Sequence, residues 1–337
     1  MPIMYRIDAK GLVLMPSVSG GTDMIETTSS KVAIAALAIL LLGSPACADE
    51  WQLTTGSNWN DDPEWCGDSI VFHSDRDPSI DFDIWKVEID STGHGVDEIF
   101  CCKRDASHVD SSPTWEHGSG GTFVFFERQI PGGVTQICGM TTSGSAVITA
   151  TDGDHADHAP DRSSGHMLVH SDRNGNDDIV WIDHGGEPHG SGSLTADPAA
   201  DRYPFWSPDE QWVAFASDRS GNWDIWVMSA DGESDSLNLR QVTDTPENET
   251  RPAWSPTGEY IAFAREGTGI VAADAWGRGE YAVTSGPDDS SPTWSDDASM
   301  LAFSRPSGGN CHIWVTDQLP ESPVEKTSWG RLKAMYR

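Results

Sequence analysis

"SDRSGNWDIWVMSADG", residues 217–232, contains a polar turn, a β-like apolar run and a second turn, and much of it recurs elsewhere in the chain. "SDRNGNDDIVWI" begins at Ser171 and "SDRDPSIDFDIWKVEID" at Ser74. Three copies of one phrase predict a repeat architecture, in which each unit buries its apolar faces only by stacking on its neighbours. Reading backwards from each copy exposes a second anchor, Pro-x-Trp: "PEW" at 63, "PTW" at 113, "PFW" at 204, "PAW" at 252 and "PTW" at 292, with Pro160 as the sixth member. The intervals between these prolines are 50, 47, 44, 48 and 40 residues, the period of a four-stranded propeller blade. Six units fit, which predicts an all-β, six-bladed propeller over residues 49–337.

In the clearest unit, Phe205 to Ser207 reads as the first strand, "PDEQ" as a turn and "WVAFAS" as a second strand with alternating faces. "SDRSGNW" then connects to a third strand, "DIWVMSA", and "DGES" turns the chain toward an outer strand ending in "LRQVT". Copies of the second strand are "SIVFHS", "TFVFFE", "MLVHS", "YIAFAR" and "MLAFSR". Outer strands end at Thr54, Thr195, Thr243 and Thr284. Trp and Phe in these units are expected to pack blade on blade. "WQLT", residues 51–54, is an outer strand with no inner strands before it, so it could close the ring on the sixth blade. "PVEKT" at 323–327 competes for that place, and either closure removes an exposed edge.

The phrase P-x-W-S-P-D-G, I-A-F, D-I-W, D-G, L-T, almost whole from Pro204 to Thr243, resembles the six-bladed propeller repeat of the TolB family. The resemblance covers residues 51 to about 327 and implies the propeller alone, without the α/β domain that precedes it in TolB. Blade two departs from the pattern with "QIC" in place of D-I-W, and blade three has Arg162 where Trp is expected.

Composition agrees with many short strands, since 33 Gly, 20 Pro and 15 Trp accompany few long apolar runs. With 21 basic against 53 acidic residues the net charge is −32, which repels phosphate backbones and anionic lipid and excludes nucleic acid as a partner class. "KVAIAALAILLLGSPACA", from Lys31 to Ala48, reads as an export signal: its apolar core is too short to span a bilayer, and Ala46-Cys47-Ala48 supplies a cleavage site. Residues 1–48 are therefore assigned to the signal, with Met24 as the natural start, and the mature chain to the periplasm or the exterior. Lipidation of Cys47 is the competing reading. The five remaining cysteines, Cys66, Cys101, Cys102, Cys138 and Cys311, leave at least one unpaired and show no zinc spacing.

Three residues before each anchor proline stands a polar or acidic group: Asn60, Asp110, Asp157, Asp201, Glu249 and Asp289. In a propeller these are expected to ring the channel mouth, facing solvent, and to receive a protein partner with a basic surface; similar rings in TolB-type propellers lie on the face that meets protein partners. The competing role for each is to accept backbone N–H bonds in its own turn. Alternate oxygens at Asp172, Asn174, Asn176 and Asp178 suit calcium, although the EF-hand Gly and Glu are missing, and His155 and His158 among acids suit a transition metal. No resident cofactor is otherwise indicated. No G-x-S-x-G nucleophile is present. The expected function is thus an exported, monomeric binding or scaffolding module acting through its acidic channel face. The alternative is a metal-dependent propeller lyase or hydrolase acting on carbohydrate, which would need a tight His and carboxylate cluster.

Overall fold

The computed structural model describes residues 5–8, 11–14, 50–76, 82–90, 95–100, 108–115, 123–143, 147–163, 165–183, 190–231, 238–277 and 279–319. The chain divides into two units, Met1–Cys47 and Ala48–Arg337. The described part of the first is a hairpin pairing Tyr5–Asp8 with Gly11–Leu14. The expected signal from Lys31 to Ala48, like the Cys101-Cys102 pair, lies outside the described residues. Among those residues no helix is long and apolar enough to cross a membrane.

The second unit is a six-bladed propeller of four-stranded antiparallel sheets. Blade one is Asn60–Cys66, Ser69–Ser74, Asp83–Ile89 and Gly95–Phe100. Blade two is Val109–Trp115, Phe123–Gln129, Thr135–Thr141 and Ile148–Thr149. Blade three is Asp157–Arg162, His166–Ser171, Asp178–Asp183 and Ser191–Ser193. Blade four is Asp201–Trp206, Trp212–Ser217, Asp224–Ser229 and Arg240–Gln241. Blade five is Glu249–Trp254, Tyr260–Arg265, Gly269–Asp274 and Glu280–Ala282. Blade six is Ser290–Trp294, Leu301–Ser307 and Asn310–Thr316, completed by Glu50–Gln52 from the start of the unit. First strands of successive blades lie against one another around the axis.

The structure thus decides how the ring closes. Trp314, Val315 and Thr316 pair with Gln52, Trp51 and Glu50. Two further bonds extend the ladder, Leu53 N–H to Ile313 O at 2.8 Å and Ile313 N–H to Thr54 Oγ1 at 3.0 Å. Arg305 clamps Glu50 at 2.6 Å. The competing tail at 323–327 lies outside the described residues.

Second strands are buried on both faces, a tighter arrangement than a half-solvated strand, because each sheet is sandwiched between two others. Their alternation decides which neighbour each side chain meets. Val213 and Phe215 join Leu168 and Ile179 of blade three, whereas Ala214 and Ala216 join Trp254 and Phe263 of blade five. Each of the six seams has its own apolar cluster. The motif tryptophans serve those seams: Trp65, Trp115, Trp254 and Trp294 are buried, while Trp206 is half-buried. Trp115 and Trp294 donate their indole N–H back to the preceding blade, to Glu64 O at 2.9 Å and Ala253 O at 3.1 Å. Arg162 substitutes for the missing tryptophan of blade three by laying its guanidinium 4.9 Å from the centre of the Phe125 ring in the seam with blade two. Cys138 and Cys311 are buried free thiols.

Candidate functional site

The recurring phrase is a latch. In blade four the Ser217 hydroxyl accepts from Arg219 Nε at 2.8 Å, and Arg219 Nη2 reaches both oxygens of Asp201 at 2.9 Å. Asn222 then donates to Thr245 O at 2.9 Å and Glu247 O at 2.8 Å, tying the turn to the segment that leads into blade five. Blade three repeats this with Arg173 on Ser171 and Asp157, and with Asn176 on Asp197 O and Ala199 O.

The six residues expected to ring the channel mouth are therefore placed differently from the expectation that they face solvent. Asn60, Asp110, Asp157, Asp201, Glu249 and Asp289 are all buried, between 0% and 3% exposed. Each is held by an arginine from its own blade: Arg76, Arg128, Arg173, Arg219, Arg265 and Arg305, at 2.6–2.9 Å. The cause is the first ladder, which sets each group opposite the end of the second strand, where the arginine stands or follows within two residues. Asp110 and Asp289 are gripped by two nitrogens each. A carboxylate so paired is a strut of its blade.

What faces the axis is the residue just before each proline. Asp62, Ser112, Ala159, Tyr203, Arg251 and Ser291 all adopt left-handed backbone, with φ between 45° and 56°. Such a conformation costs non-glycine residues on the order of 1 kcal/mol each. In every blade the first ladder slips at this point, passing over the pre-proline residue and the proline. Proline suits the bulge because it has no N–H to offer the ladder. Six bulges turn six side chains inward around a narrow cavity of about 90 Å³. This collar explains the x-Pro-x-Trp anchor, with one residue for the axis, one to break the ladder and one for the seam.

Within the collar Asp62 is the hub. It pairs with Arg251 across the channel, and it accepts from Ser291 Oγ at 2.8 Å and Ser112 Oγ at 3.1 Å. His73 Nδ1 stands 3.6 Å away. Burial would push the Asp62 carboxyl up, but Arg251, His73 and the two hydroxyls together hold it below its ordinary range. Arg251 also lies 4.9 Å over the Tyr203 ring.

A second polar arc joins blades two, three and four. Glu127 accepts from His158 Nδ1 at 3.0 Å and from the Ala159 N–H at 2.8 Å. His158 stacks on His170 at 5.2 Å, and His170 meets Tyr203 edge-on at 5.5 Å. Burial, then the neighbouring charge of His158, with Arg202 and Arg251 beyond, drives His170 down to about 3. Burial also acts against the charged form of His158, but Glu127 outweighs it and raises that imidazole. Of the two rings, His158 is thus the one on which the charged form is favoured.

Because His170 stays neutral in the folded ring while its unfolded counterpart takes up a proton near 6.5, its contribution to stability is present above that pH and lost as pH falls toward 3. His158 has the opposite sign: its contribution is present below about 6.5 and fades as pH rises through its raised folded value. His170→Phe keeps a ring but does not titrate. Unfolding free energies near pH 7 and near pH 4.5 should show a loss in the parent that exceeds the variant's by about 2–3 kcal/mol. Equal losses would remove His170 from the account.

The metal candidates are occupied with the protein itself. Asn174 donates to Asp178 Oδ2 at 2.9 Å, Asp172 Oδ1 accepts the Ala156 N–H at 3.1 Å, and Asn176 is spent on carbonyls. His155 lies 3.8 Å from Asp172, and His158 belongs to Glu127. Among the described residues no group of three His, Cys, Asp or Glu is placed to hold a metal ion.

Residues 112–321 match the family described as the TolB beta propeller domain. Among solved structures, the propeller superposes on a putative TolB from Agrobacterium tumefaciens with a TM-score of 0.56 and 17% identity, covering 79% of this chain and 91% of that one. TolB from Acinetobacter baumannii gives a TM-score of 0.50 at 16% identity, covering 80% of this chain and 54% of that one, so the match spans about half of that protein's length. An oligogalacturonate lyase in complex with manganese gives 0.55 at 12% identity, covering 83% and 95%. At these identities the likeness is one of fold.

Proposed function

This chain belongs to the TolB β-propeller domain family, and from that premise we propose that it is an exported binding or scaffolding module that receives a protein partner at the channel end where the first strands begin. The observation that carries this reading is the collar. Six strained bulges give up ladder pairing to present Asp62, Ser112, Ala159, Tyr203, Arg251 and Ser291 around the axis, and strain held in that way is characteristic of sites that recognise something. The six buried carboxylate and amide positions are held by arginines of their own blades, and in this reading the collar rather than they meets the partner. Export rests on the Lys31–Ala48 stretch. A partner with a basic surface suits the net charge of −32. The alternative of a metal-dependent carbohydrate lyase has the shared fold in its favour and no gathered ligand set among the described residues.

The test compares the mature chain with Tyr203→Ala, since Tyr203 is a half-buried collar residue and aromatic anchors carry much of the energy of interfaces. A partner captured from envelope extract by the parent should elute as salt rises and should be retained at least about tenfold less by the variant, measured at a temperature where both proteins are fully folded. Equal retention by both proteins overturns the reading.

A further inference from the structure

A larger cavity, about 300 Å³, lies where the first strands end. Blades one, three, four, five and six contribute to it, while the corresponding segment of blade two, residues 116–122, lies outside the described residues. Its walls are aromatic, with Trp65, Phe205, Trp206, Trp254 and Trp294. Its floor is Glu64, which lines both this cavity and the narrow collar.

Glu64 is the odd group in that setting. Among the described residues no Lys, Arg or His forms an ion pair with it, whereas the buried carboxylates of the latches each have an arginine. Burial pushes its carboxyl well above the ordinary range; Asp161 and Asp296 push it further, and only the Thr293 hydroxyl acts the other way. Arg162 also lines the cavity, but its guanidinium is stacked on Phe125 in the seam between blades two and three. Trp254 lines the cavity and is 4% exposed; its indole N–H has no acceptor among the described residues.

These features select the class of occupant. An anion is repelled by Glu64, Asp161 and Asp296. A neutral apolar molecule would bury the carboxylate without a partner, which is costly. A hard metal ion needs several oxygens at close range, and no such group is gathered here among the described residues. An organic cation suits both the carboxylate and an aromatic lining, since ring faces attract positive charge through their quadrupoles. We propose that this cavity binds a small organic cation, its ammonium group seated among Trp65, Trp206, Trp254 and Trp294 and against the Glu64 carboxylate.

The experiment is calorimetric titration of the full chain, at constant ionic strength, with choline, with n-butylammonium and with 3,3-dimethyl-1-butanol, the neutral isostere of choline. At least one cation should bind saturably in the millimolar range or tighter, about tenfold or more above the isostere. A preference for choline marks a quaternary head carried by a free solute. A preference for n-butylammonium marks the side chain of a lysine. In Glu64→Gln the cation should weaken by about tenfold or more and the isostere should be unchanged. Equal affinity for choline and its isostere overturns the proposal, as does a Glu64→Gln variant that titrates like the parent. If that variant fails to fold, the comparison of cation with isostere on the unaltered chain decides alone.

Discussion

Arg219→Ala is expected to destabilise the propeller by about 3–5 kcal/mol, the range seen when one partner of a buried ion pair is removed. The loss has little to do with attraction forgone. Asp201 is 0% exposed, and burial already raises its carboxyl; without the guanidinium it is a charge stranded in the blade. Arg219 also covers the Phe215 and Trp226 rings at 5.5 Å and 5.2 Å, so packing goes with it. Denaturant unfolding of the variant measures the cost. Two controls separate the causes. The deficit should shrink as pH is lowered and Asp201 protonates, because a carboxyl raised in the folded state favours folding at the acid side. The pair Arg219→Met with Asp201→Leu should recover most of the loss, since apolar replacement of a buried ion pair is often neutral. A single variant within about 1 kcal/mol of the parent would show that the latch contributes little to the fold.

Trp254→Ala should cost a similar amount, about 3–5 kcal/mol, for a different reason. Trp254 is 4% exposed and packs in the seam between blades four and five with Ile225, Val227, Ile261 and Phe263. Truncation leaves a cavity whose walls are two β-sheets, which cannot close on it as loops could. Trp206, at the equivalent place in blade four, is half-buried, so Trp206→Ala should lose less than half as much. Denaturant unfolding of the two variants side by side decides the matter. Equal losses would mean that the seam is not what the tryptophans hold together.

The blades, their order and the seam residues were legible in the sequence because each is written several times over, so that a weak signal at Pro160 could be read from strong ones at Pro204 and Pro252. The depth of the polar ring was not. Asp201 and Arg219 are 18 residues apart, and Glu249 and Arg265 are 16 apart, and they meet only because the first two strands pair. A signal existed, since an arginine follows each of the six positions at one of these two offsets. The collar was half legible. The proline showed, but the left-handed residue before it has no common chemistry, being Asp, Ser, Ala, Tyr, Arg and Ser in turn. The arc from Glu127 through His158 and His170 to Tyr203 draws on three blades, and apart from the adjacent Trp65 the tryptophans that share a cavity with Glu64 come from blades four, five and six. Neither leaves a mark in any one repeat.

Closure of the ring by Glu50–Gln52 also governs the order of events as the protein forms. The strand that completes the sixth sheet is made first and must wait for the partner made last, with 259 residues separating Thr54 from Ile313. Blades one to five can assemble locally as they emerge, each from contacts within some tens of residues. The sixth presents an open edge until the opposite end of the unit returns to it. Pairings between such distant parts of a chain are slow to form. Closure of the ring is therefore expected to be slow, and an arc not yet closed presents two open edges to other copies.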